Sequence, residues 1–171
     1  MMAGGEVRRQ PYRHDELLRL VAPRSVAIVG ASERPGSFGA RIFDNLAAFD
    51  GRVHLVNGKY ERLHGRPCHP SVRALPEVPD CAVITVPREA AESVVAECAA
   101  LGVGGAIVVA SGYTETGKPE RAAQQARLAA IARESGMRLA GPNTLGLVNY
   151  ASGAGLTFSA MPPVQPLRRH A

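Results

Sequence analysis

The sequence predicts an α/β protein with an open parallel sheet of about five strands and helices on both faces. Five short apolar runs rich in Val and Ile recur along the chain, and they mostly lack the alternation of half-exposed strands. Most of the segments between them carry apolar residues at helical spacing. Strands and helices that alternate in this way are typical of a parallel sheet with right-handed crossovers.

The predicted strands are short enough to cross a sheet that is buried on both faces. They are residues 25–29, 52–56, 81–86, 105–110 and 137–140. Their starts are spaced by roughly 30 residues, the length of a strand–helix unit. No other internal repeat is visible.

The predicted helices are supported by apolar stripes and by residues that begin or end a helix. They are residues 15–21, a segment with the stripe Ile42, Leu46 and Phe49, residues 89–101, and residues 119–135. Gly102 and Gly136 stand just after the last two, and Pro119 lies in the first turn of the fourth.

Two segments lack a long periodic pattern. Residues 59–80 are rich in proline, so we predict mostly loop with one short turn near residues 71–75. Residues 151–171 are rich in Gly, Ser and Pro, and we interpret them as a tail or the start of a linker. The predicted organisation is a flexible N-terminus over residues 1–13, one domain over residues 14–150, and this tail.

Composition restricts the class of protein. The 171 residues are 46% hydrophobic and 20% charged, as in globular proteins. The net charge of +5 suggests an acidic partner, but the basic residues are dispersed apart from Arg8-Arg9 and Arg168-Arg169, so no nucleic-acid partner is predicted. No apolar run approaches the about 20 residues of a membrane helix, and residues 1–10 lack a signal-peptide core. We therefore predict a cytoplasmic protein without a membrane partner.

Cysteines and histidines predict neither a metal site nor a catalytic centre. The cysteines, which form no C-x-x-C pair, are Cys68, Cys81 and Cys98. Buried, inert thiols are the favoured interpretation. The histidines are His14, His54, His64, His69 and His170. We interpret them as surface or loop residues, because no second pair of ligands completes a zinc site beside His64 and His69.

The loop after the first strand is the strongest candidate for a ligand site. In open α/β sheets, ligands bind beyond the carboxyl ends of the strands. Residues 30–39 are rich in Gly and Ser and lead into a helix, whose free N–H groups favour a phosphate. Ser32 and Ser37 could donate hydroxyl groups, although Ser37 could instead cap the helix. A tight turn without a ligand is the alternative that we disfavour.

The end of the second strand indicates which phosphate ligand is bound. Ser32 replaces the second glycine of the G-x-G-x-x-G fingerprint, and no carboxylate follows the second strand to hold ribose hydroxyls, so NAD is disfavoured. Lys59 stands there instead, and it suits the 2′-phosphate of NADP or the 3′-phosphate of coenzyme A. A solvated turn lysine is the remaining alternative.

Five segments together form a recognisable set. They are residues 24–32, 56–60, 86–87, 111–113 and 141–149. In this order, at successive strand ends, they resemble the CoA-binding domain of the NDP-forming acyl-CoA synthetases, which include the succinyl-CoA synthetase α subunit and related protein lysine acetyltransferases. The resemblance covers about residues 14–163. Gly58 departs from it, because the family usually has proline in an Asn-Pro-Lys-Tyr turn.

The resemblance implies a Rossmann-like domain that binds CoA or acyl-CoA. The loop of residues 32–39 and Lys59 would hold phosphates, and residues 86–87 and 111–112 would line the nucleotide and pantetheine path. The implied cofactor-binding residues are Gly30, Ser32, Gly36, Ser37, Phe38, Gly39, Lys59, Val86, Pro87, Ser111, Gly112 and Asn143.

The function expected from the resemblance is that of a CoA-binding module. The whole enzyme would be an acyl-CoA synthetase (acid, CoA and ATP to acyl-CoA) or a related acetyltransferase, and a partner subunit or domain would supply the phosphohistidine and ATP-grasp regions. We expect no catalysis by this chain alone. The alternative function is that of an NADP-dependent oxidoreductase domain.

Overall fold

The computed structural model describes residues 11–162 and contains a mostly parallel sheet of seven strands with helices on both faces. The helices are α1 His14–Val21, α2 Phe38–Asn45, α3 Arg88–Ala100 and α4 Pro119–Ser135. The strands are β1 Ser25–Val29, β2 Arg52–Val56, β3 Arg62–Leu63, β4 Arg66–His69, β5 Cys81–Ile84, β6 Gly105–Val108, β7 Arg138–Ala140, β8 Gly146–Asn149 and β9 Ala154–Thr157.

The strand order brings the ends of the parallel strands to one edge. The order is β3-β4-β2-β1-β5-β6-β7, and only the β3–β4 pair is antiparallel within this sheet. The loops after β1, β2, β5 and β6 therefore meet at the carboxyl edge. Strands β8 and β9 form a separate antiparallel hairpin. The predicted Rossmann-like fold is confirmed.

The core has two halves, one on each face of the sheet. Val26 and Ile28 of β1 pack with residues of α1, α2 and the β8–β9 hairpin. Ala27 and Val29 pack on the other side with residues of α3 and α4. Every residue of β1 is buried, so both faces need apolar side chains, which explains the absence of alternation in the central strands.

The segment between β2 and β5 differs from the prediction. It was predicted to be mostly loop, but it contains the β3–β4 hairpin, which extends the sheet beyond β2. Leu63 and Cys68 are buried against the core, whereas Arg62 and Arg66 are exposed. Strands of this length are too short to show a period. The predicted turn is confirmed as a 3₁₀ turn at Val72–Ala74.

Residues 151–171 were interpreted as a tail or the start of a linker, but Ala154–Thr157 form the strand β9. β9 pairs with β8, and all four of its residues are buried. Gly155 lies so close to α2 that a Cβ atom there would be 2.5 Å from the carbonyl oxygen of Asn45. The burial of β9 thus comes from contact with α2, which no local pattern reveals. The limits of the predicted domain otherwise remain a prediction.

Several predictions lie outside the described residues. They concern residues 1–10 of the predicted flexible N-terminus, residues 163–171 of the predicted tail, the pairs Arg8-Arg9 and Arg168-Arg169, and His170. Between residues 11 and 162, no helix has the length and apolar character required to cross a membrane.

The three cysteine thiols are buried, as predicted. Burial raises the pKa of Cys98 to about 12, and burial also raises the pKa of Cys81 and of Cys68 above the usual value for a thiol. Thiolate is the nucleophilic form, and a raised pKa reduces its fraction at neutral pH.

Candidate functional site

A cavity with a volume of about 530 Å³ lies at the carboxyl edge, beyond the ends of β1, β2 and β5. A second cavity of about 370 Å³ lies beyond β5 and β6. Both are lined by residues 85–87, so the two cavities adjoin at the carboxyl edge of the sheet, and we call the pair the groove. An elongated ligand fits such a groove better than a compact one.

The loop after β1 closes one wall of the larger cavity and depends on two glycines. Gly30 has φ +93°, and a Cβ atom there would be 2.6 Å from Oγ1 of Thr85. The Thr85 hydroxyl donates to the carbonyl oxygens of Val29 at 3.0 Å and Gly30 at 3.2 Å. A Cβ atom on Gly39 would be 2.4 Å from the Gly30 carbonyl oxygen. The glycines therefore let α2 begin directly against the loop.

The two serines of this loop have different roles. The hydroxyl oxygen of Ser37 accepts a hydrogen bond from the backbone N–H of Ala40 at 3.3 Å, so Ser37 caps α2, which was the alternative weighed for it. The hydroxyl oxygen of Ser32 accepts from the N–H of Arg34 at 3.0 Å. Ser32 and Arg34 both line the larger cavity.

The turn after β2 is tied to the loop after β1. The side-chain amide of Asn57 donates to the carbonyl oxygen of Ala31 at 2.8 Å, and its oxygen accepts from the N–H of Lys59 at 3.0 Å. Lys59 and Tyr60 are exposed and line the larger cavity. Lys59 and Arg34 thus give the cavity a positive charge that favours phosphate.

The far end of the larger cavity is built by residues that follow the β3–β4 hairpin. Residues 70–72 line it together with Val94 and Glu97 of α3. A carboxylate oxygen of Glu97 accepts from the N–H of Arg73 at 2.9 Å, which joins α3 to this segment. Glu97 thus adds one carboxylate to a lining that also contains Arg34 and Lys59.

The smaller cavity continues the groove towards β6. Its lining residues are Phe38, Thr85, Val86, Pro87, Arg88, Glu89, Ala110 and Ser111. The ring of Phe38 lies 4.3 Å from that of Phe158, centroid to centroid, and Phe38 remains half-exposed. This end therefore combines aromatic surface with the hydroxyl group of Ser111.

The groove brings together seven of the predicted site residues. Gly30, Ser32, Lys59, Val86 and Pro87 line the larger cavity, and Phe38, Val86, Pro87 and Ser111 line the smaller one.

The other predicted residues do not line either cavity. They are Gly36, Ser37, Gly39, Gly112 and Asn143. The N–H of Gly112 donates to the carboxylate of Glu115 at 2.6 Å. This hydrogen bond, together with others from the backbone nearby, lowers the pKa of Glu115. The N–H of Asn143 donates to the carbonyl oxygen of Ala110 at 2.9 Å. For these residues, ligand contact stays a prediction.

Some lining residues were missed in the sequence. Arg34 stands inside the predicted phosphate loop, and its charge was a usable signal. Thr85 lies near the end of the predicted strand 81–86 and directly follows β5 in the structure, so it marks the carboxyl edge. Residues 70–72 gave no signal, because they reach the groove only through the hairpin. Within residues 11–162, no group of three or more His, Cys, Asp or Glu side chains could hold a metal ion.

Comparison with known proteins connects this chain to CoA-binding domains. A sequence profile described as a CoA binding domain matches residues 24–150. The chain is 41% identical, over 145 residues, to the ADP-forming acetate–CoA ligase I of Archaeoglobus fulgidus, covering 85% of this chain and 21% of the ligase. It is 40% identical to a trans-feruloyl-CoA synthase from an unknown prokaryotic organism, covering 86% of this chain and 21% of the synthase.

A solved structure has the same fold at useful identity. The acetyl-coenzyme A synthetase 1 of Ca. Korarchaeum cryptofilum, in complex with phosphate and ADP, matches with a TM-score of 0.78 and 36% identity, over 84% of this chain and 31% of that one. The chain spans about a fifth of the length of the acetate–CoA ligase and of the feruloyl-CoA synthase. The family profile covers most of the chain, including the strand ends that build the groove, and the chain belongs to the CoA-binding domain family.

Proposed function

We propose that the groove binds coenzyme A, with the nucleotide end in the larger cavity. Lys59 and Arg34 line this cavity and are placed to attract the 3′-phosphate and the pyrophosphate. Tyr60 offers an exposed ring for stacking with adenine. The single observation that carries the proposal is that two cavities adjoin at the carboxyl edge and share residues 85–87 in their linings.

The pantetheine arm would then cross residues 85–87 into the smaller cavity. Val86 and Pro87 supply apolar contact along this path, and Ser111 supplies a hydroxyl group near its end. The reactive thiol would emerge beside Phe38 and Phe158. On this arrangement the chain binds and orients CoA, and the groups that activate the acid approach from outside the groove.

We infer that the chain is the CoA-binding module of an ADP-forming acyl-CoA synthetase, which converts an acid, CoA and ATP to acyl-CoA, ADP and phosphate. The similarity to an acetate–CoA ligase and to a feruloyl-CoA synthase supports this inference, and the two differ in acyl group. Other domains or a partner subunit would carry the phosphohistidine and the ATP-grasp region. A related acetyltransferase would use the module in the same way.

A thermal-unfolding panel tests the ligand. CoA, NADP, NAD and duplex DNA are each added to the purified chain, and CoA at 100 times its Kd should raise the free energy of unfolding by about 2.7 kcal/mol. That corresponds to a rise in Tm of roughly 5–10 °C for a chain of this size. A rise with NADP and none with CoA would reject the proposal in favour of the oxidoreductase alternative.

A further inference from the structure

The turn of the β3–β4 hairpin contacts the loop that forms the wall of the larger cavity. The backbone N–H of His64 donates to the carboxylate of Glu33, and Nε2 of His64 lies 3.3 Å from the carbonyl oxygen of Ser32. A carbonyl oxygen only accepts hydrogen bonds, so Nε2 carries the proton in this contact. Two bonds from one residue thus fix two consecutive loop positions.

The same side chain also contacts the helix that follows the loop. The ring of His64 stacks on Phe43 of α2, with centroids 3.9 Å apart and an interplanar angle of 15°. The guanidinium group of Arg66 lies 5.5 Å from the centre of the Phe43 ring. The hairpin therefore holds the loop and α2 as one unit.

The backbone of His64 adopts a conformation that is unusual for its residue type. Its φ is +51°, and Gly65 follows with φ +69°. Non-glycine residues with positive φ are uncommon, and they persist where surrounding contacts require them. Here that conformation accompanies the contacts of both the backbone N–H and the ring of His64 with the loop.

We propose that His64 is a positioning residue for the loop of residues 30–37 and holds it in the shape that binds the ligand. His64 does not line either cavity, so it acts through Ser32 and Glu33. Of these two residues, Ser32 lines the larger cavity. A loop held in its bound shape loses less conformational entropy on binding, which increases affinity. The effect on CoA affinity rests on the proposed function, whereas the effect on loop order does not.

A matched pair of variants tests the role of the hydrogen bond. His64→Gln keeps an N–H donor about as far from the backbone as Nε2 of the histidine. His64→Leu has a side chain of similar size to glutamine but no donor. Neither side chain is β-branched, so both carry a similar cost at φ +51°. Arg62→Ala is the control, because Arg62 is on the same hairpin and, among residues 11–162, its side chain donates to Gly65 and not to the loop of residues 30–37.

Two measurements separate the outcomes. Hydrogen exchange of residues 30–37 should be faster in His64→Leu than in His64→Gln or Arg62→Ala, with residues 81–84 unchanged in all three. Calorimetric titration with CoA should give a Kd raised about tenfold in His64→Leu and within about threefold of the wild type in the other two.

Equal exchange and equal Kd in the Gln and Leu variants would overturn the positioning role. A wild-type chain that shows no CoA binding would instead reject the proposed function, and the exchange experiment would then decide the positioning role alone.

Discussion

Lys59 lies at the end of β2, at the place where an NAD-binding domain has a carboxylate. If its ammonium group pairs with the 3′-phosphate of CoA, Lys59→Ala should weaken CoA binding about tenfold to hundredfold. Dephospho-CoA lacks that phosphate, so its affinity should be lower for the wild type and nearly unchanged by the substitution. Isothermal titration of both ligands with both proteins measures the coupling.

The control for this experiment is Lys118→Ala, which removes the only other lysine of the chain from an exposed position outside both cavities. It should leave both affinities unchanged. An equal loss for CoA and dephospho-CoA in Lys59→Ala would assign Lys59 to the pyrophosphate, and no loss for either would make it a solvated turn lysine.

Gly39 determines how closely α2 approaches the loop after β1. Alanine usually stabilises a helix relative to glycine by up to about 1 kcal/mol. Here its Cβ would be 2.4 Å from the Gly30 carbonyl oxygen, a backbone atom that cannot move alone. We therefore expect Gly39→Ala to lower the free energy of unfolding by roughly 1–3 kcal/mol, measured by urea denaturation.

The matched glycine is Gly58, where a Cβ would have its nearest neighbour at an ordinary 3.6 Å. Gly58→Ala should leave stability unchanged or slightly higher. A Gly39→Ala variant as stable as Gly58→Ala would show that α2 can shift without cost.

Among the elements, those that cross the buried sheet could be predicted from the sequence. β1 and β5 consist of small and branched apolar residues because helices cover both of their faces. The elements that escaped prediction are short hairpins whose burial depends on distant segments. Gly155 of β9 shows the reason. Its place in the strand depends on a close approach to α2, a helix that is distant in the sequence.

The residues of the candidate site likewise divide into those that the sequence predicts and those that it does not. Gly30, Ser32 and Lys59 come directly after predicted strands, so topology alone places them at one edge. The position of Asn143 beside Ala110, outside the cavities, depends on the path of a loop that no periodicity describes. The share of the site built by residues 70–72 likewise depends on the unpredicted hairpin.

An ion-pair cluster joins β2 to the segment before β5. One carboxylate oxygen of Glu77 lies 2.5 Å from Nε of Arg52 and 2.7 Å from Nε2 of His54. The hydrogen bond from Arg52, and then that from His54, lowers the pKa of Glu77. A carboxyl group whose pKa is lower in the folded state stabilises the fold at pH values above its unfolded pKa of about 4.3. This contribution is lost as the pH falls through the folded pKa.

We therefore expect Glu77→Gln to be less stable than the wild type at pH 7 and equally stable once the pH lies below the folded pKa. Urea denaturation of both proteins between pH 7 and pH 2 measures the difference. The exposed pair of Arg127 with Glu92 offers the control, since Glu92→Gln should change stability little at either pH. A Glu77→Gln effect independent of pH would assign the loss to packing.

At the scale of the whole molecule, the described chain is one layered unit in which the β8–β9 hairpin covers part of one face. Ala154 and Leu156 are fully buried, in the same half of the core as Leu46 and Phe49. A chain ended at Tyr150 loses these contacts, so we expect its free energy of unfolding to fall by several kcal/mol, by analogy with about 2–5 kcal/mol for one large core truncation. Thermal unfolding beside a chain ended at Pro162 measures this, and equal Tm values would contradict it.

The β8–β9 hairpin covers α2, and this packing has a consequence for moving the module between proteins. The side-chain amide of Asn45 donates to the carbonyl oxygens of Thr157 at 2.6 Å and Ser159 at 2.9 Å, beyond residue 150, where the match to the family profile ends. The segment that the profile matches is thus shorter than the part of the chain that packs together. A graft, fusion or excised fragment should keep the chain through Ser159, since a cut at residue 150 would remove the hydrogen-bond partners of Asn45 and expose α2, the helix beside the proposed CoA site.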